Sequence, residues 1–204
     1  MNFYPPLVEH IKKAERLSIP EERKAALQVL IDFIQQKINQ EQEINLNFIC
    51  THNSRRSQFS QIWGKVAAAY HGVDINSFSG GVEVTAFNER AVESIKRFGF
   101  KVSKEGEGNP NYSVFYSDDA EPIIAFSKVY DDTANAPSDF AAVMTCSHAD
   151  ENCPFIPGAA ARIPVRYDDP KAFDDTDQEK EKYDERSLQI GSELLYVFSK
   201  VAVS

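Results

Sequence analysis

The chain has 204 residues, of which 42% are hydrophobic and 26% charged, as expected for a globular protein with a substantial core. Its net charge of −9 and its lack of a basic patch argue against a nucleic-acid partner. No apolar run approaches membrane-spanning length and the N-terminus does not resemble a signal peptide, so we expect a cytoplasmic protein with no membrane partner.

Residues 1–43 predict two amphipathic helices ahead of the main domain. Apolar residues recur there at steps of three and four, first at Leu7, Val8, Ile11 and Ala14, then at Leu27, Leu30, Ile31 and Ile34. We expect this extension either to pack on the domain as a helical hairpin or to support a homodimer. Residues 44–204 are predicted to form the domain itself.

Residues 44–104 alternate between strand and helix patterns. A strand ends at Cys50 and a helix follows it, then come a strand over residues 73–78 and a helix with Asn88 as N-cap and Gly99 after its end. This alternation implies right-handed crossovers and a parallel sheet, hence an α/β fold.

Residues 105–132 depart from that pattern and predict an inserted β-hairpin, because two strand-like runs bracket a turn. The hairpin either covers part of the site or extends the sheet edge. The apolar run over residues 140–145 then predicts a buried parallel strand that ends at Cys146. Ligands bind outside the carboxyl ends of such strands, so Cys146 is expected on the same edge as Cys50.

The loop after Cys50 predicts an oxyanion site. The N-terminus of a helix favours an anion, and a thiol placed there ionises more readily. Five residues separate Cys50 from Arg56, whose guanidinium can hold a tetrahedral oxyanion through two hydrogen bonds. Ser57 is placed to donate to the Cys50 sulfur, and Asn53 tolerates a left-handed backbone. The alternative is a buried structural cysteine followed by two surface arginines.

The loop from Cys50 to Ser57 resembles the phosphate-binding loop of the low-molecular-weight protein tyrosine phosphatases. It is more similar still to that of the thioredoxin-coupled arsenate reductases built on the same fold. The resemblance implies a doubly wound domain with a mainly four-stranded parallel sheet, Cys50 as nucleophile, and Asp169 before Pro170 as general acid, with Asp168 as second candidate. It implies that the oxyanion is bound by Thr51, His52, Asn53, Ser54, Arg55 and Arg56.

In the resembled reductases a second cysteine attacks the cysteine-bound arsenic adduct, and a third passes the disulfide to thioredoxin. Cys146 and Cys153, with six residues between them, match this pair, and the reductant would be thioredoxin or a similar thiol carrier. A phosphatase would need no further thiol. Lys171 and Ala172 stand where the tyrosine phosphatases place aromatic residues, so a small inorganic substrate such as arsenate is favoured.

Two alternatives remain open: a phosphatase acting through a cysteinyl-phosphate, and a non-catalytic oxyanion-binding module in which His52 has spoiled the loop. His52 stands where the family usually has glycine, and Arg55 adds a charge that should help bind a dianion. Gln61 replaces a glutamate that helps some reductases hold potassium, so Asn53, Gln61 and Ser79 are the potassium candidates. No tightly bound cofactor and no other metal site are expected, because the four histidines are scattered.

Overall fold

Four parallel strands form the central sheet of the computed structural model, which describes residues 1–152 and 155–202. Their order is β2–β1–β6–β7, with β1 at Asn45–Cys50, β2 at Asn76–Gly81, β6 at Phe140–Met144 and β7 at Ala159–Pro164. The predicted four-stranded parallel sheet is confirmed. The second strand begins at Asn76 rather than residue 73, because Val73 and Ile75 enter the core from the preceding turn.

Helices connect these strands or follow the last of them. They are α3 at Arg56–Tyr70, α4 at Glu89–Arg97, α5 at Ser147–Asn152 and α6 at Glu179–Ser199, with a 3₁₀ helix at Pro170–Phe173. The predicted limits of α4 are confirmed, because the Asn88 side chain accepts from the Arg90 N–H at 3.0 Å and Gly99 has a φ of 94°. No helix among the described residues is both long and apolar enough to cross a bilayer.

A separate antiparallel sheet contains the insertion. Its order is β3–β4–β5, with β3 at Lys101–Glu105, β4 at Asn111–Phe115 and β5 at Ile123–Ala125. The hairpin of β4 and β5 was predicted, but the first strand was not. Four of the five β3 residues are exposed, so the strand carries no alternating apolar signal.

The N-terminal helices α1, at Pro5–Glu15, and α2, at Glu21–Asn39, both pack against α6. Their buried side chains share one core with the sheet; these are Leu7, Ile11, Ala14, Leu27, Leu30, Ile31 and Ile34. Arg23 of α2 donates to both carboxylate oxygens of Glu193 in α6, at 3.0 and 2.6 Å. Its guanidinium carbon also lies 5.0 Å from the ring centre of Tyr167, so the extension reaches the segment that follows β7.

Candidate active site

The loop between β1 and α3 presents a row of backbone N–H groups. Among the described residues, no acceptor takes the N–H groups of Thr51 through Arg56. Asn53 has a φ of 45°, the left-handed conformation that the sequence predicted for a loop of this kind. Successive unpaired amides at the start of a helix favour an anion, so the backbone here is suited to bind an oxyanion.

The end of β2 braces this loop from below. The N–H groups of Val82 and Glu83 donate to the Thr51 carbonyl at 2.8 and 2.9 Å. A Cβ atom at Gly81 would lie 2.8 Å from the Asn53 nitrogen and 2.9 Å from the Thr51 oxygen. Only glycine permits this approach, so Gly81 is needed for the loop geometry.

Cys50 lies at the base of the loop with 3% of its surface exposed. Its sulfur is 3.0 Å from the Ser57 hydroxyl, the contact that the sequence predicted. Asn53 Nδ2 donates to Ser57 Oγ at 2.8 Å, which leaves the Ser57 proton free to point at the sulfur. The Ser57 hydroxyl is therefore placed to donate to the Cys50 sulfur.

Arg56 joins the loop to the predicted acid. Its guanidinium donates to the Tyr167 carbonyl at 3.0 Å and to Asp169 Oδ2 at 2.7 Å. Its Nε is buried without a hydrogen-bond partner among the described residues. A buried donor without an acceptor costs about 1–3 kcal/mol, so this nitrogen is a further donor suited to an oxyanion.

Asp169 faces the loop and Asp168 does not. Asp169 caps the 3₁₀ helix through the Lys171 N–H at 3.0 Å, and its side chain is 30% exposed. The Asp168 side chain is 97% exposed and lies 3.5 Å from Arg186. The geometry therefore favours Asp169 over Asp168 as the acid.

Cys146 lies beside the loop, as predicted from the parallel strands. Thr145 after β6 donates its N–H to the Ile49 carbonyl at 2.7 Å, which aligns the two strand ends. The Cys146 sulfur lies 3.5 Å from Thr51 Oγ1 and is buried in one cluster with Cys50. Cys153, the third predicted cysteine, lies outside the described residues.

A cavity of about 560 Å³ opens next to the loop. Loop residues His52, Ser54 and Arg55 border it on one side, and Lys171 borders it after the acid. The inserted sheet supplies much of the remaining wall, with Lys104, Gly108, Pro110 and Tyr112. Of the two placements that the sequence left open for the insertion, the structure therefore supports the one beside the site.

Curated relatives are similar to this chain over most of their own length. The arsenate reductase of Brevibacillus brevis is 32% identical over 130 residues, which are 64% of this chain and 79% of that protein. The chain belongs to the arsenate reductases of the low-molecular-weight protein tyrosine phosphatase family.

Another curated relative and one solved structure are also similar to this chain. The arsenate reductase of Halalkalibacterium halodurans is 29% identical over 133 residues, which are 65% of this chain and 78% of that protein. A low-molecular-weight phosphotyrosine phosphatase from Vibrio cholerae has the same fold, with a TM-score of 0.50 and 13% identity over 76% of this chain and 94% of that one. No family model matches the sequence.

His52, where this arsenate reductase family usually has glycine, leaves the loop intact. Its φ is not positive, so the backbone needs no glycine there. The imidazole is 42% exposed, and its Nε2 lies 3.4 Å from the Glu83 carboxylate. The His52 carbonyl accepts from Ser127 Oγ at 2.9 Å, a contact that does not depend on the side chain. This geometry argues against a loop spoiled by His52.

The side chain of Arg55 does not match the role that the sequence suggested. Its guanidinium donates to the Tyr183 hydroxyl at 2.7 Å and to Asp174 at 3.2 Å. This cation is therefore already paired, and its Nε also lies 4.0 Å from Asp169 Oδ1. Its backbone N–H remains the better candidate ligand for the oxyanion. Tyr183 in turn donates to Asp174 at 2.7 Å, and burial together with this hydrogen bond raises its pKa.

The candidate potassium ligands of the family bind other groups here. The Ser79 hydroxyl donates to Gln61 Oε1 at 2.5 Å, and Asn53 Oδ1 accepts from the Lys128 N–H at 3.0 Å. The Lys128 side chain, itself a buried cation, lines one cavity with Gln61. Oxygens that already bond to other groups, and a buried lysine at the cavity of Gln61, suit a potassium ion poorly. The described residues contain no cluster of acidic, His or Cys ligands for another metal.

We therefore expect potassium to have no specific effect on this enzyme. Exchanging potassium for tetramethylammonium at constant ionic strength should leave the melting temperature and the turnover rate unchanged. A potassium-dependent rise in the melting temperature would show that these oxygens rearrange around the ion.

Proposed function

We propose that this protein reduces arsenate to arsenite and passes the oxidising equivalents through Cys146 and Cys153 to thioredoxin or a similar thiol carrier. The observation that carries the proposal is the position of Cys146. Its sulfur lies beside the loop, 3.5 Å from Thr51 Oγ1 and in one buried cluster with Cys50. A phosphatase hydrolyses its cysteinyl-phosphate with water and has no use for a thiol there.

The chemistry begins at Cys50. Its thiolate attacks the arsenic of bound arsenate, which the loop amides and Arg56 hold, and an arsenate oxygen leaves as water with a proton from Asp169. The Cys146 thiolate then attacks the Cys50 sulfur. The S–S bond forms as the S–As bond breaks, and the electron pair stays on arsenic, which leaves as arsenite.

The disulfide then moves outward. Cys153 attacks the Cys146 sulfur, releases the Cys50 thiolate and leaves a Cys146–Cys153 disulfide. Two electrons from the external dithiol reduce that disulfide and close the cycle. The two thiols thus supply the two electrons that arsenic gains.

The test is arsenate-dependent NADPH consumption with thioredoxin and thioredoxin reductase. We expect steady turnover in the wild type, about one equivalent of arsenite in Cys153→Ser, and none in Cys146→Ser. Hydrolysis of an aryl phosphate by both variants serves as the control for an intact loop. Steady arsenate turnover in Cys146→Ser would contradict the relay.

A second candidate, a phosphatase on this fold, is favoured by the size of the cavity. Its volume of about 560 Å³ exceeds what an inorganic oxyanion fills, and Phe87 and Tyr112 line it. An organic phosphate ester could lie there with its phosphate in the loop. Efficient aryl phosphate hydrolysis without arsenate reduction would support this function instead.

A further inference from the structure

The Cys146 thiol must lose a proton before it can attack, and it has no direct contact with water. Only 1% of Cys146 and 9% of Thr51 are exposed, whereas His148 is exposed on α5. Thr51 Oγ1 lies 3.5 Å from the Cys146 sulfur and 3.3 Å from His148 Nδ1. The three side chains thus form a continuous chain of hydrogen-bond contacts from a buried thiol to the surface.

We propose that His148 accepts the proton of the Cys146 thiol through the Thr51 hydroxyl. In the starting arrangement the thiol donates to Thr51 Oγ1, and the Thr51 hydroxyl donates to His148 Nδ1. As the proton moves, the Thr51 proton passes to Nδ1 and the thiol proton passes to Oγ1. His148 then donates to Oγ1, and the Thr51 hydroxyl donates to the new thiolate, so every group stays hydrogen-bonded.

Two further contacts support this arrangement. The Ala149 N–H donates to the Cys146 sulfur at 3.4 Å, which stabilises a thiolate. The carboxylate of Asp150 pairs with Arg162, which lies in β7, and with Arg166, which follows β7. These ion pairs hold α5 in place and therefore the position of His148. His148 touches neither Cys50 nor the oxyanion, so it acts as a positioning residue and proton acceptor through Thr51.

The inference rests on the proposed relay, but one test does not depend on arsenate. In a Cys50→Ser, Cys153→Ser background, Cys146 is the only cysteine, and its thiolate absorbs in the ultraviolet. We expect the thiolate signal at neutral pH to fall in His148→Gln and in Thr51→Val, and to persist in Thr51→Ser, which keeps the hydroxyl. Glu151→Gln, an exposed change on the same helix, is the matched control.

A second readout uses single-turnover arsenite release in the otherwise native chain. We expect the rate to fall about 10²-fold in His148→Gly and to recover when imidazole is added, because the site is open to solvent. If the His148→Gln and Thr51→Val variants show the same thiolate absorbance as the parent protein, the inference is overturned. An absence of arsenite from the wild type would instead contradict the proposed function, and the thiolate signal would still decide the role of His148.

Discussion

Replacing Asp169 by asparagine is expected to tighten phosphate binding while it slows turnover. The Asp169 carboxylate accepts from Arg56 at 2.7 Å, so it holds a donor that an oxyanion needs, and its charge repels a dianion. Asparagine keeps the size and removes the charge. We expect the inhibition constant of phosphate, measured against aryl phosphate hydrolysis, to fall on the order of tenfold, or about 1.4 kcal/mol.

In the proposed mechanism the same variant loses the proton donor for the leaving oxygen. General acid catalysis contributes about 10²–10⁴-fold, so kcat should fall within that range for a basic leaving group. The loss should shrink for p-nitrophenyl phosphate, whose leaving group needs little protonation.

Asp168→Asn is the matched control, because that side chain is 97% exposed and contacts only the periphery through Arg186. We expect Asp168→Asn to change the inhibition constant of phosphate and kcat very little. A larger loss of kcat in Asp168→Asn than in Asp169→Asn would assign the acid to Asp168. Weaker phosphate binding in Asp169→Asn would show that Asp169 positions Arg56 for the oxyanion and does not compete with the oxyanion for it.

Replacing Lys128 by methionine is expected to stabilise the fold. Lys128 is 3% exposed, and its ammonium lies 4.5 Å from the Phe126 ring centre. Burial lowers its pKa to about 8, against the weaker opposing effect of Asp132. The unfolded chain therefore binds this proton more tightly than the folded one, which lowers the stability of the fold by about 3 kcal/mol at neutral pH.

The sign of the pH dependence follows from that difference. The loss of stability caused by the buried Lys128 ammonium is fully present below its folded pKa of about 8. It disappears as the pH rises toward the pKa of 10.5 in the unfolded chain. We expect Lys128→Met to raise the free energy of unfolding in urea at pH 7 by about 3 kcal/mol and to flatten its rise above pH 8.

Lys65→Met, which changes a more exposed lysine at the same cavity, is the control and should bring no such gain. A loss of stability in Lys128→Met, with the pH dependence unchanged, would mean that the Lys128 ammonium is well compensated in the folded protein.

The loop was predictable from sequence because its geometry is set locally. Cys50, Asn53, Arg56 and Ser57 lie within eight residues between a strand and a helix, and their contacts follow from that spacing. The alternation of strands and helices likewise predicted the parallel sheet, and the buried run at β6 predicted the position of Cys146.

Contacts distant in sequence were not predictable. The sequence shows the charge of Arg55 but not its direction, which is set by Tyr183 and Asp174, 128 and 119 residues away. Nothing in the sequence indicated that Lys128 is buried, because a lysine in a predicted hairpin is expected to face solvent. The role proposed for His148 depends on Thr51, 97 residues earlier, so only the folded chain could suggest it.

The contact of Arg23 with Tyr167 has a consequence for reading natural sequence variation. Arg23 lies over the Tyr167 ring, while the Tyr167 carbonyl holds Arg56 at 3.0 Å. A substitution at Arg23 can therefore shift Arg56, the arginine proposed to bind the oxyanion, without a direct contact to it. We therefore expect an allele altered at Arg23 to lower activity in an enzyme assay, although the changed contact joins α2 to the segment after β7.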